Sequence, residues 1–512
     1  MATGVEVPVV NLSIPTMDPL KFAPESLVGM NQSNATGVFD VAKDLSERMD
    51  FFHLRALFYL ISPSEVIPHG LPVNGSYGNE TDMYPDYHLV PDYFSNTVPV
   101  FMLVCLLELF ANFVLTGEGF RINDTLVSWS AGVLSHMAKL CVKSLNTVAY
   151  VWLFRHYRLT TLPLDTWWAW ILAILATDCA YYWFHRASHE INIFWAAHQV
   201  HHSSEEFNLS VALRQSVVSN FGAWVFYLPM AVLGFTPTAF LIHQHFNLLY
   251  QFWIHTSLVK NLGVLELVLN TPSHHRAHHG RNPIYIDINY GGVFIIWDRL
   301  FGTFAPESPS EPAFYGLVGR LDSYNAIWVQ IIRLAEIWRR MKLFPTIPDK
   351  LSAALKGPRW RPGLPFLGVL NRIPIREKED HPEIRYDPQI PAWMTSYAVV
   401  HFLLVLPYFL SFIRAHDAWS NAETVVSLAH VTWSLANIGS VLDGAWWVAI
   451  AEVLRCGVMG LACSRLPGAA LWGAEVVGLV RLVYGVSACA WMANLYVRPR
   501  KSHNRVPGRK VE

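Results

Sequence analysis

Runs of about 20 apolar residues, the length that crosses a hydrocarbon core, recur along this chain. The clear ones are Val98 to Gly117, Asp165 to Phe184, Ala392 to Ile413, Thr424 to Leu442, Ala445 to Cys463 and Ala469 to Val497. Val211 to Gly234 and Thr236 to Thr256 read as a helical hairpin, broken near Pro229 and Gly234. Ala131 to Phe154 is interrupted by His136, Lys139 and Lys143, so it reads either as a span or as a helix lying in the interface. Of 512 residues, 52% are hydrophobic and 15% charged, against about 25% charged in an average soluble domain. The expected fold is all-α: a polytopic integral membrane helical bundle.

Histidine is concentrated at the ends of these runs. Twelve of the 22 histidines lie between His185 and His279, in three clusters: His185 and His189; His198, His201 and His202; and His275, His278 and His279, with His274 just before. Positions three and four apart share one helix face, so each cluster can aim two or three imidazoles at one point. A single metal needs fewer than eight ligands, so the count favours two ions. No cysteine lies nearby, and neutral imidazole suits Zn, Cu, Fe or Ni, so ligand type alone leaves the metal open. His255 ends a span at the level of the clusters and reads as a further ligand. His274 is either a ligand or a hydrogen-bond donor, while His243 and His245 lie deeper and read as core or tunnel lining.

Carboxylates accompany the clusters. Asp178 shares a face with Tyr182, His185 and His189, and a buried intramembrane acid normally has a partner. Metal-bound imidazole often hands its other N–H to such a group, and that role is expected of Asp178, with direct ligation or a helix–helix hydrogen bond as alternatives; Asp287 and Asn289, eight and ten residues beyond His279, are candidates to back up ligands. Glu205, Glu206, Asn208, Arg214 and Gln215 either line the mouth of the site or form a solvated loop.

Residues 1–95 are mixed in character and carry sequons at Asn11, Asn31, Asn34, Asn74 and Asn79, without a cleavable signal at Met1 to Asp18. Residues 96–305 form the expected catalytic core. A polar stretch, 306–390, reads as a cytosolic cap or linker, with Ser323 to Lys342 amphipathic. Further spans fill 391–497, and 498–512 is a basic tail. Lys and Arg accumulate in cytoplasmic loops, so the tail, the cap and the histidine clusters are expected on the cytosolic side and, if Ala131 to Phe154 crosses, 1–95 in the lumen; an interfacial Ala131 to Phe154 would put 1–95 in the cytosol instead. The net charge of -1 gives no nucleic-acid signature. The six cysteines lie in apolar segments and suggest no disulfide framework.

Four strings go further: Tyr181-Tyr-Trp-Phe-His-Arg-Ala-Ser-His-Glu190, His198-Gln-Val-His-His-Ser-Ser-Glu-Glu-Phe-Asn-Leu-Ser210, Asn247-Leu-Leu-Tyr-Gln-Phe-Trp-Ile-His-Thr256 and Asn270-Thr-Pro-Ser-His-His-Arg-Ala-His-His-Gly280. Together they closely resemble the alkylglycerol monooxygenase family of the fatty acid hydroxylase superfamily, from about Phe58 into the C-terminal spans and more weakly after about Gly363. The resemblance implies a di-iron enzyme of the endoplasmic reticulum membrane. Its reaction uses O2 and tetrahydrobiopterin to hydroxylate the ether-bearing carbon of an alkylglycerol, and the hemiacetal collapses to a fatty aldehyde and a glycerol derivative. It also ties Glu190 to the pterin. Two alternatives stand beside it: a sterol or fatty acid hydroxylase or desaturase fed by cytochrome b5, and a membrane metal-binding or transport protein. Transport is disfavoured because the clusters sit at span ends and no internal repeat is visible.

Overall fold

The computed structural model describes residues 55–61, 63–66, 90–117, 121–164, 166–370, 385–467, 469 and 472–497. The five sequons, the basic tail and residues 1–50 lie outside these. Among the described residues the chain is helical, with one isolated bridge between Leu269 and Phe294 as its only extended pairing. All six cysteines are free.

The helices that matter for the site are α1 (Tyr93–Thr116), α2 (Ile122–Tyr157), α3 (Trp167–Glu190), α4 (Asn192–His202), α5 (Pro237–Trp253) and α6 (Pro272–His278). They are followed by α7 (Ala326–Leu343), α8 (Ile347–Leu355), α9 (Ala392–Ala415), α10 (Asn421–Leu442), α11 (Val448–Ala462) and α12 (Ala474–Val497). By length and composition α1, α9, α10 and α12 are able to cross a membrane. Leu106, Leu107, Phe110, Phe113 and Leu115 on α1 are exposed, as are Leu479, Leu482 and Val486 on α12. Such continuous apolar surface fits lipid rather than water, and the protein is a multi-pass membrane protein.

The stretch Ala131 to Phe154 lies within α2. α2 is one continuous helix of 36 residues, about 54 Å long, and it packs against α9 and α10. Two of its polar residues face protein: Asp124 pairs with buried Arg214 at 3.0 Å, and Ser135 donates to the Ser216 carbonyl. The expected span Val211 to Gly234 is not one helix. It breaks into short pieces, Leu209–Ala212, Val218–Phe221, Ala223–Tyr227 and Leu228–Leu233: Ser216, Ser219, Asn220 and Gly222 are weak helix formers, and the Ser216 and Ser219 hydroxyls bond nearby backbone groups instead. Thr236 then caps α5 by accepting from the Ala239 amide, with Pro237 at its first turn. The expected spans Ala445 to Cys463 and Ala469 to Val497 shorten to α11 and α12.

One hydrophobic core joins the two halves of the chain. Phe101 of α1, Trp129 and Val133 of α2, Phe246 and Phe252 of α5, Phe402 and Phe409 of α9 and Leu435 of α10 belong to it. α7 ties the cap to both halves. Its N-cap Asn325 accepts from the Ile327 and Trp328 amides and donates to Ser440 of α10, and the Val329 carbonyl accepts from Gln199 of α4. The inner face of α7 is thus buried while Trp328, Ile331 and Trp338 are exposed. α8 holds the start of α4, where Asn192 donates to the Ala353 carbonyl at 2.7 Å.

The contact between α10 and the start of α7 predicts a stability difference. A Cβ at Gly439 would lie 2.3 Å from the Tyr324 carbonyl oxygen, whereas one at Gly457 of α11 meets nothing within 4 Å. Gly439→Val should lower the melting temperature of the detergent-solubilised protein, at an overpacking cost of about 1–3 kcal/mol. Gly457→Ala should leave it unchanged or raise it slightly.

Candidate metal centre

The interval of four residues that marks His185 and His189 places both on the buried face of α3, with Tyr182 and Asp178 one and two turns before His185. After a single residue, Ile191, the chain turns into α4, whose last turn carries His201 and His202, with His198 preceding. His255 follows the end of α5. The third cluster sits on α6, a short helix begun by Pro272.

These elements bring nine imidazoles into two adjoining groups. His185, His189, His198, His202 and His278 form one, and His201, His255, His275 and His279 the other; within each, the candidate ligand nitrogens lie within 4.8 Å of one another. The second and third clusters are each split between the groups: α4 gives His198 and His202 to the first and His201 to the second, while the third cluster gives His278 to the first and His275 and His279 to the second. The His202 and His279 rings stack across the boundary at 4.3 Å. All nine are buried except His198, which is partly exposed.

The ring protons are committed outward. His185 Nδ1 donates to the Tyr290 carbonyl at 2.8 Å, His278 Nδ1 to the Ile288 carbonyl at 2.7 Å and His255 Nδ1 to the Gln251 carbonyl at 2.7 Å. Each therefore turns an unprotonated Nε2 inward. His255 Nε2 meets His201 Nε2 at 3.1 Å and His275 Nε2 at 2.8 Å, and His185 Nε2 meets His198 Nε2 at 3.0 Å. His189 Nε2 and His278 Nε2 are buried without a hydrogen-bond partner. Burial pushes His201, His202, His275, His278 and His279 well below the usual imidazole range, and repulsion from neighbouring rings adds to it. Neutral imidazoles with converging lone pairs are the form that metals bind, and the donor set fits nitrogen-ligated metal ions.

A single loop, 287–298, supplies most of the outer support. Asp287 and Asn289 both adopt positive φ, 62° and 55°, a left-handed conformation that Asp and Asn adopt more readily than other non-glycine residues. That path delivers the Ile288 and Tyr290 carbonyls to two different imidazoles. Asp298 fixes it by accepting from the Tyr290 and Gly291 amides, both at 2.7 Å, and burial raises its carboxyl to about 6. Asp178 contributes from α3: it accepts from the Val293 and Phe294 amides, the Trp297 indole and Asn247. A Cβ on Gly292 would lie 2.7 Å from Asp178 Oδ1, so the close approach needs glycine there.

The expected acids thus act differently from one another. Asp178 hydrogen-bonds to no histidine and reaches the site through this loop. Asp287 lies 3.7 Å from His189 Nδ1 and accepts from Arg359 at 2.6 Å. Burial alone would push its carboxyl up, but the His189 imidazole and the Arg359 guanidinium hold it below the usual range. Asn289 donates to the His274 and Ala305 carbonyls and so clamps backbone rather than a ring. His274 belongs to neither group; its Nε2 is 3.8 Å from Glu266. Glu190 pairs with Arg186 at 2.9 Å at the end of α3, where burial raises its carboxyl despite that cation. Arg214 is buried on Asp124 and Ser203, Glu205 pairs with Arg121, Glu206 with Arg385, and Asn208 caps Leu209–Ala212. Two of that set reach a clustered histidine: the Gln215 side chain lies 3.5 Å from His201, and the Arg214 backbone hydrogen-bonds to the same ring.

Sequence reasoning missed Asp298, Glu266 and Glu108. Glu266 accepts from the Thr271 and Ser273 hydroxyls and so holds the start of α6. Glu108, buried on α1, accepts from the Leu209 amide at 2.6 Å and from Thr256 beside His255. An acid in an otherwise apolar α1 was the available signal.

The histidine-bearing segment has relatives. The fatty acid hydroxylase family model matches residues 170–303, and that of the alkylglycerol monooxygenase C-terminal domain matches residues 394–466. Alkylglycerol monooxygenase of Danio rerio is 45% identical over 72% of this chain and 81% of its own length. Those of Homo sapiens and Xenopus tropicalis are each 41% identical, covering 81% and 79% of this chain and 88% and 85% of their own. This chain belongs to the alkylglycerol monooxygenase family. It is an enzyme, and the family's membrane setting agrees with the spans described above. No solved structure matches it.

For a member of this family, the geometry makes two predictions about metal retention, measured by elemental analysis of purified variants. His202→Ala and His279→Ala should lose bound metal, whereas His274→Ala should keep it at the wild-type level. Asp298→Asn, which touches no ring, should weaken metal retention against a chelator by about 10- to 100-fold through the displaced Tyr290 carbonyl.

Proposed function

We propose that this enzyme hydroxylates the ether-bearing carbon of alkylglycerol lipids, using two iron ions, O2 and tetrahydrobiopterin, and yields a fatty aldehyde and a glycerol derivative. The observation that carries the reading is the opening of both imidazole groups into one largely apolar cavity of about 240 Å³, which His198, His201, His255 and His275 share with Phe101, Met102, Val133, Leu248 and Phe252. Iron held by the nine histidines would supply the oxidising power that an unactivated C–H bond requires and that zinc lacks.

The protein's part is to bind, orient and keep water out. The apolar walls accept an alkyl chain, while Gln244 and Ser219 line the same cavity and offer polar atoms to glycerol hydroxyls. One oxygen atom of O2 enters the C–H bond; the other leaves as water, with the two electrons and two protons supplied by oxidation of the tetrahydropterin to the dihydro level. The product is a hemiacetal, whose C–O bond to glycerol breaks as its hydroxyl proton transfers to the departing oxygen. Glu190 is the residue we assign to the pterin. A carboxylate has acceptor capacity beyond its pairing with Arg186, and its oxygens complement the donors of an amino-pyrimidine edge. We place the enzyme in the endoplasmic reticulum membrane, with the histidine groups and the 306–390 cap on the cytosolic side, in keeping with the basic tail.

Incubation of an alkylglycerol with membranes containing the protein should release fatty aldehyde only when tetrahydrobiopterin is added. Turnover supported by cytochrome b5 instead would favour sterol or fatty acid oxidation on the same scaffold. Glu190→Gln should raise the KM for tetrahydrobiopterin by about tenfold, the loss expected for a charged hydrogen bond, and leave iron content unchanged; loss of iron would make Glu190 part of the metal centre.

A further inference from the structure

The cavity that meets the imidazoles extends away from them between α1, α2 and α9, and aromatic contacts trace its length. Phe252, three residues before His255, stacks on Phe101 at 4.2 Å, and Phe101 meets Phe94 edge-on at 5.7 Å. Phe94 lies 5.4 Å from the His136 ring, which in turn meets Phe409 edge-on at 5.9 Å. Phe94 and Phe101 are two helical turns apart on α1, so the arm runs at least about 10 Å beyond Phe101. On α2, Trp129, Val133, His136 and Lys139 face it as one stripe at intervals of four, three and three.

The third wall comes from α9. Phe402 and Phe409, again two turns apart, both line the cavity, both are almost fully buried, and Phe402 packs on Trp129 at 5.8 Å. These residues lie in the segment matched by the C-terminal domain model, outside the fatty acid hydroxylase match at 170–303. A region without a histidine cluster therefore completes the cavity. At its far end the Lys139 ammonium lies over the Phe94 ring at 4.6 Å, beside His136. A methyl terminus pressed against an ammonium strips it of polar surroundings without replacing them, so an apolar chain stops there.

We propose that Phe402 and Phe409 are specificity-determining residues that set, together with the polar end formed by His136 and Lys139, the length of alkyl chain the site accepts. The proposal rests on the ether-lipid reading, and its test separates the two. With full-length purified protein, kcat/KM is measured across a homologous series of saturated alkylglycerols, with iron content recorded for each variant. Phe402→Ala and Phe409→Ala should move the optimum to longer chains, raising the ratio of kcat/KM for a longer to the wild-type optimal chain about tenfold, the discrimination that one or two methylenes give in an apolar pocket. Phe402→Trp should move it to shorter chains. Should the alanine variants fail to retain iron, Phe402→Leu and Phe409→Leu keep most of the packing and should shift in the same direction.

An unchanged chain-length profile in iron-replete variants would overturn the proposal. If the wild-type protein turns over no alkylglycerol, the ether-lipid reading fails instead, and displacement of an apolar fluorescent probe by the same series still examines the arm. The variants should then shift the chain length that displaces best, and identical displacement series would refute the assignment.

Discussion

The structure depends on holding nine imidazoles close together and pointed the same way. For His201, His202, His275, His278 and His279, removal from water opposes protonation, and repulsion between neighbouring rings reinforces it. Neutrality alone does not decide which nitrogen faces inward; that is decided where Nδ1–H finds a backbone carbonyl. For His185 and His278 those carbonyls belong to one loop, which Asp298 and Asp178 hold through amide hydrogen bonds and Arg359 through its ion pair with Asp287.

This dependence explains why the acids around the site are buried without touching a metal-facing nitrogen. Asp178, in the wall of α3, binds amides and an indole; its effect on His185 passes through the Tyr290 carbonyl. Arg276 works similarly for the third cluster. It pairs with Glu307 at 2.8 Å and donates to the Thr256, Val259 and Lys260 carbonyls, fixing the chain that leaves His255 against α6. Cap, loop and bundle converge on one set of rings.

Much of this was legible in the sequence, for identifiable reasons. Intervals of three and four residues on helices put the histidines on common faces, and His255 could be placed because it ends an apolar run. The division into two groups could not be read, since it depends on how α4 and α6 cross, and a run of H-x-x-H-H does not say which ring turns which way. His274 was ambiguous for the same reason, and Glu266, which decides its surroundings, is not periodic with it. The span at Val211 to Gly234 was overread because hydropathy summed over a window conceals Ser216, Ser219, Asn220 and Gly222, which break the helix one turn at a time. The role of α9 in lining the cavity was invisible, because Phe402 and Phe409 look like any other apolar residues of a span until α1 and α2 are set beside them.

The most direct test of a two-ion centre is iron quantification per chain on the full-length wild-type protein, combined with Mössbauer spectroscopy of iron-57-enriched material. The two imidazole groups, with the iron chemistry proposed above, predict two irons per polypeptide, present as a spin-coupled pair. A fully active preparation with one iron per chain, or with iron replaced by zinc, would contradict the account.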